Sequence, residues 1–217
     1  FSMKPKDVIL FGFGRIGRLA ARELIKQAGK GQQLRLRAIV IRDVNKSSIE
    51  KRKNLLEHDS VHGYFKANIQ ANYKKNELVI DGQIVKIIES LDKIDYTKYD
   101  INNSLLIDNT GAFRDKKSLN KHLKCKGVSQ VILTAPGKEI PNIVYGINEN
   151  TIDIKLNKIV SAASCTTNAI APVLKIINDK FKIKQGHLET IHAYTNDQNL
   201  LDNMHKKNRR GRSAAIN

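Results

Sequence analysis

The chain has 217 residues, enough for one large or two modest domains. Its 38 Lys and Arg against 21 Asp and Glu leave a net charge of +17, and it holds two cysteines, too few for a disulfide framework. No stretch approaches the roughly 18 consecutive apolar residues of a membrane span, Phe1-Ser2-Met3-Lys4 lacks the apolar run of a signal peptide, and Cys125 and Cys165 fit a reducing cytoplasm.

Asp7 to Phe11, continuously apolar from Val8 on, reads as a buried parallel strand. Gly12-Phe13-Gly14-Arg15-Ile16-Gly17 follows at once, then a helix through about Ala28 with Ile16, Leu19, Ala20, Leu24 and Ile25 on one face, ended by Gly29 and Gly31. A glycine-rich turn between strand and helix lets a pyrophosphate approach the helix N-terminus, so Gly12, Gly14, Arg15, Ile16 and Gly17 are expected to bind a dinucleotide. The second strand, Leu34 to Ile41, closes on Arg42-Asp43. Asp43 there accepts the ribose hydroxyls of NAD, while Arg42 beside it offers a cation to a 2′-phosphate, which leaves NADP open. His58 and His62 stand four apart without a further ligand in view, so no metal site is expected and a local hydrogen-bonding role is. Leu78 to Ile88 reads as a hairpin about Asp81-Gly82.

Ser104 to Asp108 is another buried strand, running into Asn109-Thr110-Gly111-Ala112-Phe113. Lys116 to Lys124 reads as a helix with Leu119 and Leu123 inward, closed by Gly127, with Cys125 structural at its end. A strand over Gln130 to Pro136 includes Thr134, and Lys158-Ile159-Val160 ends a further one. Then comes Ser161-Ala162-Ala163-Ser164-Cys165-Thr166-Thr167-Asn168-Ala169-Ile170-Ala171-Pro172, with Ile170, Val173, Leu174, Ile177 and Phe181 at the spacing of one helix face. Cys165 therefore sits where a strand turns into a helix, a position that favours the nucleophilic thiolate. A Gln185-Gly186 turn leads to a strand, Leu188 to Thr195, in which His192 alternates onto the face of Leu188, Thr190 and Tyr194. An activated thiol needs a base within reach, and His192 is the candidate. The basic run His205 to Arg212 suits a solvated or subunit-facing segment better than a nucleic-acid surface, since no aromatic residues are interleaved as stacking platforms.

Ser-Cys-Thr-Thr-Asn followed by Ala-Pro, Gly-Phe-Gly-Arg-Ile-Gly-Arg from Gly12, and His192-Ala193-Tyr194-Thr195-Asn196-Asp197-Gln198 together resemble the phosphorylating glyceraldehyde-3-phosphate dehydrogenases, in the same order over essentially the whole chain. The segments from Asp59 to Phe65 and from Thr110 to Phe113 resemble that family as well, as does a basic segment ending in Arg-x-Arg-x-Ala-x-x-Asn. The resemblance implies an α/β fold: a Rossmann-type NAD-binding domain, 1–163, followed by the beginning of an α+β catalytic domain, 164–217. It implies oxidation of D-glyceraldehyde 3-phosphate with inorganic phosphate, Cys165 as nucleophile, His192 as base, and Thr110, Gly111 and Thr134 beside the cofactor. Ser164, Thr166, Thr195 and Asp197 match positions that serve the substrate and inorganic phosphates, and the family points to a homotetramer.

The chain also departs from the family. Phe11 stands where the family usually has Asn before the glycine turn, Ala162 where it has Asn, and Ala169 where it often has Cys. Family members continue well beyond the position of Asn217, so a fragment of a longer polypeptide is expected. An aldehyde dehydrogenase acting on erythrose 4-phosphate and a catalytically silent basic nucleotide- or nucleic-acid-binding module are the alternatives.

Overall fold

The computed structural model describes residues 5–28, 30–31 and 33–216. Strand β1 (Lys6–Phe11) feeds helix α1 (Arg15–Gln27), and β2 (Leu34–Ile41) feeds α2 (Lys46–Glu57). A small antiparallel pair follows, β3 (His58–Asp59) and β4 (Gly63–Tyr64), then β5 (Ile69–Asn72), β6 (Glu77–Ile80) and β7 (Gln83–Glu89). Next come β8 (Ser104–Asp108), α3 (Lys116–Leu123), β9 (Val128–Leu133), β10 (Ile159–Ser161) and α4 (Cys165–Phe181). Contacts divide the chain into two compact units, Phe1–Ile176 and Ile177–Asn217.

The first unit is organised on one eight-stranded sheet in the order β10-β9-β8-β1-β2-β7-β6-β5. Strands β10 to β7 in that order are parallel, and β6 and β5 add an antiparallel edge. From the central β1 the chain moves outward through β2 on one side, and later through β8, β9 and β10 on the other. That reversal leaves a crevice at the carboxyl ends of β1 and β8, where open α/β sheets bind ligands.

Alternation along β1 builds two cores. Val8 and Leu10 pack with Leu36, Ile39, Ile41, Ile49 and Leu56 on the face that includes residues of α1 and α2. Ile9 packs with Ala38, Val40, Leu106, Val131 and Leu119 on the face of α3. The pairing of β1 with β2 jumps from Leu36 to Ala38, and this irregularity lets Leu36 and Ile39 share one face. The Asp81-Gly82 turn is as expected: Ile80 pairs with Gln83, and both turn residues have positive φ, 46° and 80°.

Several expectations need correction. On α1 the buried residues are Gly17, Ala21, Arg22, Leu24 and Ile25, whereas Ile16 is 52% exposed. Gly17 lets the helix come close, and the inward stripe is therefore centred one position beyond Ile16. On α3, Leu119 and His122 are buried and Leu123 only partly so. Helix α2 escapes a periodicity reading because it buries only Ile49 and Leu56; its start is set by a capping box between Asn45 and Ser48. Of the two glycines assigned to the end of α1, Gly31 adopts a positive φ of 80°, and Gly29 lies outside the described residues. The expected strand Leu188 to Thr195 does not form, and no turn is assigned at Gln185-Gly186. A strand is a hydrogen-bonded ladder, and among the described residues no strand pairs with this segment. Helix α4 forms as expected, but none of its residues is buried, and Val173, Leu174, Ile177 and Phe181 are 40–73% exposed.

Arg22 ties α1 to the segment after α2. Only 5% exposed, it donates to the carbonyls of Leu56 (2.7 and 3.0 Å), Glu57 (3.3 Å) and Gly63 (3.0 Å), and its guanidinium lies over the Phe65 ring. Arg22→Met fills much of the volume but removes the guanidinium donor, leaving the Glu57 carbonyl with the Phe65 N–H alone. Urea unfolding is expected to show a loss of about 2–3 kcal/mol with an unchanged m-value.

Candidate active site

The crevice is built by glycines where a side chain would collide. Gly12, at φ +91°, would place a Cβ 2.7 Å from Thr110 Cγ2. A Cβ on Gly17 would lie 2.5 Å from the Gly12 carbonyl oxygen. Gly14 is different: a Cβ there meets nothing within 4 Å, so space is open in front of it. Gly14 is also the N-cap of α1, which has no side-chain cap and no acidic residue in its first turn. The N–H groups of that turn are thus left to an incoming anion. An open bed at a helix start, walled by two glycines that tolerate no larger residue, fits a dinucleotide pyrophosphate.

Across the crevice, β8 ends in Asp108, and Asp108 Oδ1 accepts from the Thr110 N–H (2.8 Å) and hydroxyl (2.7 Å). Gly111 follows at φ +66°. Thr134, just past β9, donates through its N–H to the Asp108 carbonyl (3.0 Å), and its hydroxyl lies 3.2 Å from Asn109 Oδ1. Asp43 is exposed just past β2, and its carbonyl accepts from Ser48 Oγ (2.6 Å). The Asp43 carboxylate attracts the guanidinium of Arg52 on α2, a residue the sequence reading did not single out. Burial and the neighbouring Arg18 charge push the Arg52 pKa down, and Asp43 opposes them. The structure thus gathers Gly12, Gly14, Arg15, Gly17, Asp43, Thr110, Gly111 and Thr134 at one sheet edge. Ile16 joins them as an exposed residue of the first turn.

Arg15 and Arg18 are held from behind by Asp59. Its Oδ2 lies 3.3 Å from Arg15 Nε and 3.3 Å from Arg18 Nη2, and its Oδ1 accepts from the N–H groups of Val61 and His62 (both 3.0 Å) and meets His62 Nδ1 at 3.1 Å. His62 is thereby locally bonded, as expected, and the His58 ring meets that of Tyr64 at a tilt, with centroids 5.0 Å apart.

Cys165 opens α4 after a tight elbow. Ser161 Oγ donates to the Ala135 carbonyl (2.6 Å) and accepts from the Ala163 N–H (2.9 Å). Ala163 is held at φ +59°, a strained conformation for a residue with a Cβ. Asn168 Nδ2 donates to the carbonyls of Ala162 (2.7 Å) and Ser164 (2.8 Å), and the Asn168 N–H reaches the latter at 2.9 Å. Fixing the Ser164 carbonyl toward the helix turns the other side of that peptide, the Cys165 N–H, away from it. Ser164 caps the helix, its Oγ accepting from the Thr167 N–H (2.9 Å) and bonding the Thr167 hydroxyl (2.7 Å). Cys165 is exposed, and Thr166 follows it on the first turn. Cys125 is buried, with its Sγ 3.6 Å from the Lys121 carbonyl. The elbow could have been read from Asn168, whose place three residues after Cys165 suits a side chain folding back on the turn.

In the second unit, His192 is exposed, with Nδ1 2.5 Å from the Ala193 carbonyl. The Thr195 N–H donates to Gln198 Oε1 (3.2 Å). Asp197 accepts from Arg210 Nη1 (2.5 Å) and lies 3.7 Å from His205 Nε2. Asp202 accepts from the Ser213 N–H at 2.9 Å and from Arg212 Nη1 at 2.8 Å, and these, the first above all, hold its carboxyl below the usual range. The basic segment 205–212 therefore spends Arg210 and Arg212 on local carboxylates.

Comparison with known proteins gives two family matches. Residues 6–116 match the NAD binding domain of glyceraldehyde 3-phosphate dehydrogenase, and residues 164–217 match its C-terminal domain. A glyceraldehyde-3-phosphate dehydrogenase-like protein of Pseudomonas aeruginosa is 56% identical over 214 residues, covering 97% of this chain and 46% of the relative. Glyceraldehyde-3-phosphate dehydrogenases of Thermotoga maritima and Bacillus subtilis (the latter numbered 2) are 38% and 39% identical, each covering 97% of this chain and 60% and 59% of the relative. The chain thus spans about half to three-fifths of the length of the curated relatives it matches.

Asp59 yields a pH-dependent expectation. The backbone N–H groups of His62 and Val61, followed by the His62 ring, hold its carboxyl well below the usual value of 3.8, against the opposing effect of burial. A depressed carboxylate contributes stability that is present above the unfolded-state pKa and is lost as pH falls toward the folded one. The stability gap between wild type and Asp59→Asn should stay level from about pH 7 to 5 and narrow below about pH 4, as denaturant melts across that range would show.

Proposed function

The chain belongs to the glyceraldehyde-3-phosphate dehydrogenase family, and from that premise we propose that it supplies the NAD-binding half and the nucleophile of an enzyme that oxidises D-glyceraldehyde 3-phosphate, with inorganic phosphate, to 1,3-bisphosphoglycerate. The observation that carries the reading is the elbow at Cys165, an exposed thiol at the first position of α4, in the same chain as the glycine-walled crevice.

In this reading His192 takes the thiol proton, Cys165 attacks the aldehyde carbon as the thiolate to form a C–S bond, and the carbonyl oxygen takes that proton back from His192 to become a hydroxyl. The Cys165 N–H, aimed out by the Asn168 clamp on the preceding carbonyl, stabilises charge on that oxygen. His192 takes the hydroxyl proton as the C–H bond is given up. Nicotinamide, when bound, accepts the hydride. The resulting Cys165 thioester is cleaved by phosphate, which forms the acyl phosphate and returns the thiolate. The helix start at Arg15 to Gly17 holds the pyrophosphate, Asp43 the adenosine ribose, and Thr110, Gly111 and Thr134 line the path toward the nicotinamide. Ser164, Thr166, Thr195 and Asp197 serve the two phosphates, with Asp197 acting through the orientation of Arg210. The same reading carries a domain boundary at 163/164, a homotetrameric assembly and a cytoplasmic setting.

Two measurements test it. Iodoacetamide labelling near neutral pH, followed by peptide mapping, should modify Cys165 well ahead of Cys125, which is only 8% exposed. Equal or faster labelling at Cys125 removes Cys165 as the nucleophile. Dissociation constants for NAD and NADP should favour NAD modestly, because the Asp43 carboxylate repels a 2′-phosphate while Arg42 and Arg52 attract it. Asp43→Gly should shrink that preference, and an unchanged ratio excludes Asp43 as the ribose ligand.

A further inference from the structure

Beneath the crevice lies a buried pair that the proposed reaction does not use. Asp108 is 0% exposed and His122 4% exposed, and His122 Nε2 sits 2.9 Å from Asp108 Oδ2. The other carboxylate oxygen is taken by the N–H and hydroxyl of Thr110, and the Asp108 carbonyl by the N–H of Thr134 (3.0 Å) and its hydroxyl (3.1 Å). One residue is therefore bonded to both threonines of the cofactor edge. A carboxylate so deeply buried requires donors on each oxygen, and among the described residues His122 is the side chain that meets Oδ2. An ionised carboxylate accepts only, which places a proton on Nε2.

The imidazole is itself held by packing. Phe11 meets it edge-on with ring centroids 4.5 Å apart, and Phe113 does so at 5.5 Å. Phe11 ends β1 immediately before the glycine turn, and Phe113 follows the Thr110-Gly111 turn. The ring thus touches both lips of the crevice from below. Displacement of Thr110 passes straight to the pyrophosphate bed, because its Cγ2 occupies the space that a Gly12 Cβ would need.

We propose that His122 is a positioning residue for the dinucleotide: by fixing the Asp108 carboxylate it clamps Thr110 against Gly12 and so sets the shape of the cofactor bed. The inference rests on the reading of that crevice as the NAD site. It acts through Asp108, with no contact between His122 and the cofactor required.

The test compares wild type, His122→Leu and His122→Gln by NAD dissociation constant, thermal melt, and amide hydrogen exchange at Thr110 and Gly111 in the NAD-free protein. His122→Leu should weaken NAD binding about tenfold, the equivalent of one hydrogen bond, and speed exchange at Thr110. His122→Gln, whose amide nitrogen reaches the place of the imidazole Nε2, should recover the affinity to within about threefold. A folded His122→Leu with wild-type affinity and exchange overturns the clamp, as does an equal loss in Leu and Gln that merely follows their melting temperatures. Should His122→Leu not fold, Thr110→Val decides, since it deletes the hydroxyl bond to Asp108 while keeping the side-chain shape; unchanged NAD affinity there overturns the clamp. A wild-type chain that binds no NAD overturns the NAD reading itself, whereas NAD binding indifferent to His122 overturns the clamp alone.

Discussion

The close approach of β1 to β8 at their carboxyl ends is the constraint on which the site depends. Gly12 and Thr110 are so near that no side chain fits between them, and Gly17 must pass just as close to the Gly12 carbonyl. These approaches bring the start of α1 to the sheet edge and aim its first turn into the crevice. They also explain why the neighbouring residues are so heavily bonded. Asp108 accepts from Thr110 with its carboxylate and from Thr134 with its carbonyl, so the loop after β8 and the end of β9 are joined through one buried residue. A parallel sheet supplies the scaffold cheaply in sequence terms, but the edge needs these polar ties because its loops have no ladder of their own.

Charge is distributed with similar economy. The chain carries a net +17, yet several of its arginines meet a specific partner. Asp59 gathers Arg15 and Arg18, Asp7 takes Arg35 and Arg37, and Asp197 and Asp202 take Arg210 and Arg212. The Asp59 group has the greatest consequence for the site, since it orders the outer side of the first turn of α1. Arg15 and Arg18 are then held back by a carboxylate, and the opening before Gly14 is left to the ligand. Around Asp43 the balance is finer, with Arg52 near enough to feel its charge. This end of the crevice therefore sets one carboxylate, Asp43, against the cations Arg42 and Arg52.

Much of this was legible in the residues, and for definite reasons. Strands covered on both faces must be continuous apolar runs, and Val8 to Leu10, Ala38 to Ile41 and Leu105 to Ile107 are such runs. The glycine turn and the Asp81-Gly82 hairpin are written in residues that tolerate positive φ. What escaped depends on partners distant in sequence. Helix α2 buries two residues and carries no apolar stripe, so only its cap announces it. His122 reads as a surface residue of a lysine-rich helix until Asp108 and two phenylalanines surround it. The alternation from Leu188 to Thr195 says which residues would share a face, but alternation alone cannot supply the neighbour that turns an extended segment into a strand.

The elbow at Cys165 and the glycine turn at Gly12 solve one problem by opposite means. Both must release a parallel strand abruptly into a helix. At the first, glycine adopts φ +91° at no steric cost, and backbone alone makes the turn. At the second, Ala163 adopts φ +59° with a Cβ in place, which requires surrounding bonds to hold it. Ser161 and Asn168 supply them, one fixing the Ala163 N–H and the other the carbonyls on either side. The difference follows from what each turn presents. A pyrophosphate needs room, and a bare backbone provides it. At the elbow a thiol side chain is presented instead, and the bonds to the Ala163 N–H and to the Ala162 and Ser164 carbonyls fix the direction in which the helix starts.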